Sequence, residues 1–492
     1  MMGHQPPLQA QLFYTGFNLE KRVRADHPLR SIASRIDFDF SYDEVADSYG
    51  DNGHVSVPPP VILKLMLLLV FYNVRSEREL METLPERLDW LWFLGYDLNT
   101  PIPDHSVLSK ARRRWGVALF KQFFERMVWQ CVEAGLVDGS KIFVDSSLID
   151  ANAAKSSLVD RQSLRYPLDK RYPELERRLT EVEAALPEGG RDVNRRYVSA
   201  TDPEAALINR GGGAKLRYQV HRAVDPKAEV ITATEVTRGD VHEGHRLIPL
   251  WEAHRRNTGK CAQVAVGDSH YGTVANYLAC HDRAVAAHLR EFRQAAAPKT
   301  TAGGIFPDTK FDYDAETDSY RCPAGQQLTP RSRHPDRHSV DYAATQRVCD
   351  ACPLRTPCTR SKRGRTIKRH LRQAELNAMR SAARSAHAQR DLCLRQTLME
   401  RSFARGTRFG FDQARWRGLW RMAIQEYLVA SIQNIEVLIR YGRSPARRWP
   451  AAWVGIETGR RAIRAVEAHL RSLWTSRFTA FVLLRTAYTS SG

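Results

Sequence analysis

The sequence predicts an α/β fold, preceded by an all-helical block and interrupted by a small cysteine-rich insert. Three features carry that reading. Two short apolar runs, Lys141–Asp145 and Gln263–Asp268, each end in an aspartate. Continuous apolar runs of this length are the pattern of strands buried on both faces. Between Lys141 and Leu289 strand-like and helix-like segments alternate, as they do where helices cover a sheet. From Ala295 to Arg369 that rhythm stops, and Thr, Gly, Pro, Asp and Arg appear with four of the eight cysteines.

Taken in order, Pro58–Tyr72 reads as an apolar helix opened by prolines. Ser76-Glu77-Arg78-Glu79 fits a capping box before a second helix, and Glu86–Leu94 suggests a third. Pro101-Ile102-Pro103-Asp104 breaks the pattern, after which Ser106–Trp115 restarts a short helix carrying Lys110, Arg112, Arg113 and Arg114. A charged stretch from Val159 to Gly190 reads as an insertion. Leu216–Val224 and Val230–Val236, separated by Asp225-Pro226-Lys227-Ala228, read as an antiparallel hairpin. Helical spacing at His245–Arg256, a helix from Thr273 and a strand near Val285–Leu289 complete the alternating region. Helical spacing resumes at Leu371 and runs to about Tyr441, with Leu394/Leu398 and Met399/Phe403 as i, i+4 pairs. A basic, aromatic tail follows.

The 492 residues leave room for two to four domains at about 150 residues each. A hydrophobic content of 43% with 26% charged residues is globular, which excludes collagen-like and wholly disordered chains. The formal net charge is +19, and Arg355–Arg448 holds 22 basic against 6 acidic residues. Such an excess predicts a polyanionic partner. The longest apolar run, Val61–Tyr72, is interrupted by Lys64 and falls short of the roughly 20 residues a membrane helix needs, so no membrane role is expected. No apolar signal segment is visible in the first thirty residues, and a cytoplasmic protein is expected. In that reducing compartment the cysteines read as thiols or metal ligands rather than as a disulfide framework.

Asp145 and Asp268 are the strongest local signal for chemistry. The carboxyl ends of strands are where α/β sheets bind ligands, and a carboxylate there escapes the cost of burial only if water, a cation or a metal meets it. Brought close, the pair would keep one proton between them unless a divalent cation bridged them, and Mg²⁺ suits carboxylates together with substrate phosphates. Each aspartate could equally be a strand-end cap.

Around these acids the residues resemble the bacterial insertion-sequence transposases of the DDE class. Asp268-Ser269-His270-Tyr271-Gly272 looks like the family's second-acid motif, Asp-x-x-Tyr-Gly. Val144-Asp145-Ser146-Ser147, with Asp150-Ala151-Asn152-Ala153 following, is similar to the first-acid motif. Thr201-Asp202-Pro203-Glu204, the hairpin from Tyr218 to Thr237, and Pro103-Asp104-His105-Ser106 add to the likeness, which spans roughly residues 35–440. The resemblance implies an RNase H-like mixed sheet flanked by helices. Its third acid is best matched by Glu400, in Met399-Glu400-Arg401, with Glu426 as second choice. Arg395 serves as the accessory arginine ahead of it. Thr407 stands where a lysine is expected, with Arg408 adjacent, and Arg405 or Arg408 could substitute.

The resemblance therefore implies DNA cleavage and strand transfer by two Mg²⁺ or Mn²⁺ ions about 4 Å apart, held by Asp145, Asp268 and Glu400. The expected organisation is a helical DNA-binding domain over 1–130, a catalytic core over 136–295, a cysteine-rich insert over 296–370, further core helices over 371–441 and a tail over 442–492. Double-stranded DNA, as element ends and target, is the expected partner of a homodimer associated with the bacterial nucleoid. A nuclease that cannot join, or an inactive DNA-binding relic, is the alternative.

Cys322, Cys349, Cys352 and Cys358, spaced C-x26-C-x2-C-x5-C, suit a structural Zn²⁺ or else four reduced thiols. The cluster resembles a cysteine-bearing insert in one branch of the family. Lys362, Arg363, Arg365, Lys368 and Arg369 beside it, with Lys110, Arg112, Arg113 and Arg114, are the candidate phosphate contacts. Arg415-Trp416-Arg417 and Arg447-Arg448-Trp449 add rings that could stack on bases, although Trp416 and Trp420 fit core positions as well.

Overall fold

Proline-primed Pro59–Phe71 (α4), apolar except for Lys64, is the helix around which the N-terminal region packs. Leu63, Leu65, Met66 and Leu68 are inaccessible. The computed structural model describes residues 2–3, 18–50, 54–160, 192–210, 213–291 and 304–442. The whole of the charged stretch after Asp160, the first residues of the insert and the tail with Arg447-Arg448-Trp449 lie outside the described residues. Before α4 come Leu19–Arg22 (α1), Pro28–Arg35 (α2) and Phe40–Val45 (α3). After it come Glu77–Thr83 (α5), Leu88–Leu94 (α6), Ser106–Trp115 (α7) and Ala118–Glu133 (α8). Half of the expected capping box is formed: Ser76 accepts from the Glu79 amide at 3.1 Å.

The central sheet is mixed and six-stranded. Lys141–Asp150 (β1) is its axis. Leu158–Asp160 (β2) and Tyr197–Ser199 (β3) form a separate ribbon, with Asp192–Arg196 (α9) between them. Ala214–Asp225 (β5) runs antiparallel to β1, and its other edge takes Ala206–Asn209 (β4) and then Val230–Arg238 (β6). On the opposite side of β1, Val264–Gly267 (β7) and Ala286–Leu289 (β8) add in parallel. Leu247–Thr258 (α10) and Val274–Asp282 (α11) are the intervening helices. The expected strand at Lys141–Asp145 is longer than its apolar run. It pairs with β7 only over Lys141–Phe143 but stays paired with β5 to Asp150, so Asp145 lies beyond the end of the parallel ladder.

Both faces of the sheet are covered, which is why the strands read as unbroken apolar runs. Ile142, Val144, Ala265 and Ala287 meet α10, α11 and Gln373–Ala383 (α14) on one face. Phe143, Val224 and Val266 meet α8, Ala386–Thr407 (α15) and Leu419–Tyr441 (α16) on the other. The helical stretch expected from Leu371 is thus three helices, and Leu394 of the expected Leu394/Leu398 pair is exposed. α16 also packs on α4, so one core runs from the N-terminal helices into the sheet, and the chain through Gly442 is one compact unit.

Between β8 and α14 the insert is not the loop-rich segment its composition suggests. Asp312–Asp314 (β9), Ser319–Arg321 (β10), Gln327–His334 (β11), Ser339–Ala343 (β12) and Thr366–His370 (β13) form an antiparallel sheet. Gln346–Asp350 (α12) and Arg355–Cys358 (α13) sit between its last two strands. Phe311, Tyr320, Leu328, Val340, Tyr342 and Ile367 give it a small core of its own. Alternating strand residues supply that core, a period-2 signal masked in the sequence by the charged residues on the exposed face.

Candidate active site

Asp145, Asp268 and Glu243 converge where the parallel strands end. One carboxylate oxygen from each lies within 4.8 Å of the other two. Asp145 comes from β1 just past its pairing with β7, and Asp268 from the residue after β7. Glu243 opens a short 3-10 turn, Glu243–Arg246, that follows β6. Arg395 reaches across from α15 and sets Nη1 2.7 Å from Oδ2 of Asp145. The position of α15 is fixed one turn earlier. There Asp391 receives Lys141 Nζ from β1 at 2.7 and 2.8 Å, and its Oδ2 lies 2.6 Å from His288 Nδ1 of β8.

The Asp-x-x-Tyr-Gly segment turns the chain from β7 into α11. His270 N–H donates to Asp268 Oδ1 at 2.9 Å. A Cβ on Gly272 would lie 2.1 Å from the Arg290 carbonyl oxygen, so only glycine fits there. Thr273 caps the helix through the Asn276 amide. The Asn276 side chain then donates to Gly244 O at 2.8 Å and to Tyr271 O at 2.9 Å, tying the Glu243 turn to the Asp268 turn.

Burial pushes the Asp145 carboxyl up to about 6; Arg395 pulls it down, and Asp268 and Glu243 push it further up. Tyr271 is fully buried, and its hydroxyl has no hydrogen-bond partner among the described residues. Burial raises it far above the ordinary phenol range, with Glu243, Asp145 and Asp268 adding to the rise. An all-oxygen donor set beside an orphaned buried donor fits a hard divalent cation.

The other acids expected from the sequence are placed elsewhere. Glu400 is exposed on α15 and accepts from Gln396 at 3.2 Å. At 3.6 residues per turn it stands roughly 140° around the helix from Arg395. Glu426 is buried, bound to Arg222 at 2.8 and 3.0 Å and to Thr234 at 2.7 Å. Arg222 also donates to the Ser402 carbonyl and lies over the Phe411 ring, so this pair clamps β5, α15 and α16. Arg408 is exposed, 3.5 Å from Glu436, while Arg405 pairs with Glu229. Glu243 lies on a turn, where no periodicity in the sequence marks it.

Of the basic residues on α7, Lys110, Arg113 and Arg114 are exposed. Arg112 is not available to a phosphate as expected: it falls on the inward stripe with Leu108, Ala111 and Trp115. There it pairs with Glu77 and lies 4.0 Å over the Trp416 ring. Trp416 itself donates to Glu77 and packs against the core. In the insert, Lys362, Arg363 and Lys368 are exposed. Arg365 is engaged by Phe306 O and Asp308, and Arg369 lies 3.5 Å over Tyr313. Cys322, Cys349, Cys352 and Cys358 line one cavity. Burial raises the Cys358 thiol, Arg365 lowers it, and the other three cysteines raise it. Among the described residues three groups of possible ligands come within 4.8 Å of one another, and these cysteines are not one of them.

Fold and site together define an α/β protein with a carboxylate cluster at the carboxyl end of parallel strands. Residues 17–114 match the family model described as Transposase domain (DUF772), and residues 321–439 match that described as Transposase DDE domain. Both models describe transposase domains, the class that the sequence motifs resemble. Neither a curated protein nor a solved structure matches the chain significantly. Among the described residues no helix is long and apolar enough to cross a membrane.

Proposed function

We propose that the protein cuts DNA at the ends of an insertion sequence and joins them to a target, with a core of RNase H-like type. The observation that carries this reading is the meeting of Asp145 and Asp268, far apart in sequence, beside adjacent parallel strands. The strand order β6-β5-β1-β7-β8, antiparallel through β1 and parallel after it, supports it further.

A bound Mg²⁺ or Mn²⁺ would polarise the scissile phosphate and lower the pKa of an attacking water or 3′-hydroxyl. Asp145 and Asp268 hold the cation in this reading. Arg395 keeps Asp145 oriented and offsets its charge until the cation arrives. Glu400, the third acid by family pattern, stands on the outer side of α15, so its joining a two-ion site requires a rearrangement when DNA binds. Exposed Lys110, Arg113, Arg114, Lys362, Arg363 and Lys368 contact phosphates, and two copies act together because two element ends are processed. Cys322, Cys349, Cys352 and Cys358, which line one cavity, would hold a zinc ion as a structural clip.

The test is incubation with Mg²⁺ and labelled duplexes taken from the DNA on either side of the gene. Joined products are expected. Nicks without joining would make the protein a nuclease, and shifted but uncut DNA would make it a DNA-binding relic.

A further inference from the structure

The turn that carries Glu243 is built into the site rather than draped over it. His242 Nδ1 accepts from the Gly244 amide at 3.1 Å and starts the turn. A Cβ on Gly244 would lie 2.8 Å from the His270 carbonyl oxygen, so the two turns are in backbone contact. Asn276 then fastens both. The Glu243 side chain is 9% exposed. It makes ion pairs with Arg210 Nη1 at 3.6 Å and His270 Nδ1 at 3.7 Å, both just outside hydrogen-bonding range. Arg395, the strongest cation nearby, is engaged with Asp145.

A buried carboxylate beside two others is costly without a compensating cation. An octahedral ion with bonds of about 2.1 Å puts its ligand oxygens roughly 3.0 Å apart when adjacent and roughly 4.2 Å when opposite. The three carboxylates, within 4.8 Å, are already close to that spacing. Independently, the Tyr271 hydroxyl is a fully buried donor with no acceptor, among groups that include all three acids. Buried donors in folded proteins find partners, so this one awaits an oxygen that moves in when the site fills.

We propose that Glu243 is a ligand of the divalent ion held by Asp145 and Asp268. The resident third carboxylate of this chain then lies on the turn after β6, not on α15. The inference rests on the metal-dependent reading of Asp145 and Asp268 given above.

The experiment is calorimetric titration of the full-length protein with MnCl₂, without DNA. Wild type should bind, and Glu243→Gln should weaken binding by at least about tenfold. Glu243→Asp should retain part of the affinity, and Glu400→Gln should stay within about twofold of wild type. Thermal unfolding of each variant without metal identifies any that fail to fold, and Glu243→Asp then carries the test if Glu243→Gln is lost. Wild-type affinity in a folded Glu243→Gln protein overturns this inference. Wild-type affinity in Asp145→Asn and Asp268→Asn would instead overturn the ion-site reading beneath it.

Discussion

Asp145 shows how placement alone shifts the proton affinity of a carboxylate. Its strand outruns β7, which leaves the side chain partly wet, yet burial still raises its pKa to about 6. The sign of the consequence follows from linkage. Between the ordinary value of 3.8 and about 6 the folded, metal-free protein holds a proton that the unfolded chain has released. Metal-free stability should therefore fall as pH rises through that window, and a divalent ion must displace the proton below about 6. Urea unfolding at pH 4.5, 5.5 and 7 should show the decline in wild type, with Asp145→Asn removing its share. An identical pH slope in both proteins would contradict the assignment.

At the scale of elements, what the sequence made legible follows from periodicity. Apolar runs marked β1 and β7, and with them Asp145 and Asp268, because both faces of the sheet are covered. Arg112 and Glu400 depend on which side of a helix faces inward, and that is set by tertiary packing: α7 turns its Arg112 onto Trp416, and α15 turns Glu400 outward. Glu426 reads in sequence as a possible catalytic acid, yet its partner Arg222 comes from a distant hairpin. Breaking a buried pair of this kind costs about 3–5 kcal/mol. Glu426→Gln should lose stability of that order in urea unfolding, and a loss below about 1 kcal/mol would show the clamp to be unimportant. The insert offers a second check. Among the described residues its core is six buried side chains, so a metal clip would stabilise it substantially. Protein purified under reducing conditions should contain close to one zinc per chain, and metal-free protein would leave four ordinary thiols.

The chain carries a net charge of +19, an excess suited to a polyanionic partner. The helical block shares its core with α16, so the N-terminal helices and the central sheet are mechanically joined. Binding through phosphates releases counterions, and DNA affinity should fall steeply, by orders of magnitude, between 50 and 200 mM salt. A flat response in filter binding would argue against a phosphate-dominated interface.

The central claim is that Asp145 and Asp268 together make the cutting site. The direct measurement compares Mg²⁺-dependent cleavage of element-end DNA by wild type, Asp145→Ala and Asp268→Ala, with DNA binding followed in the same samples. Both variants should bind nearly as wild type does and cut no DNA. Cleavage at the wild-type rate by either would contradict the account.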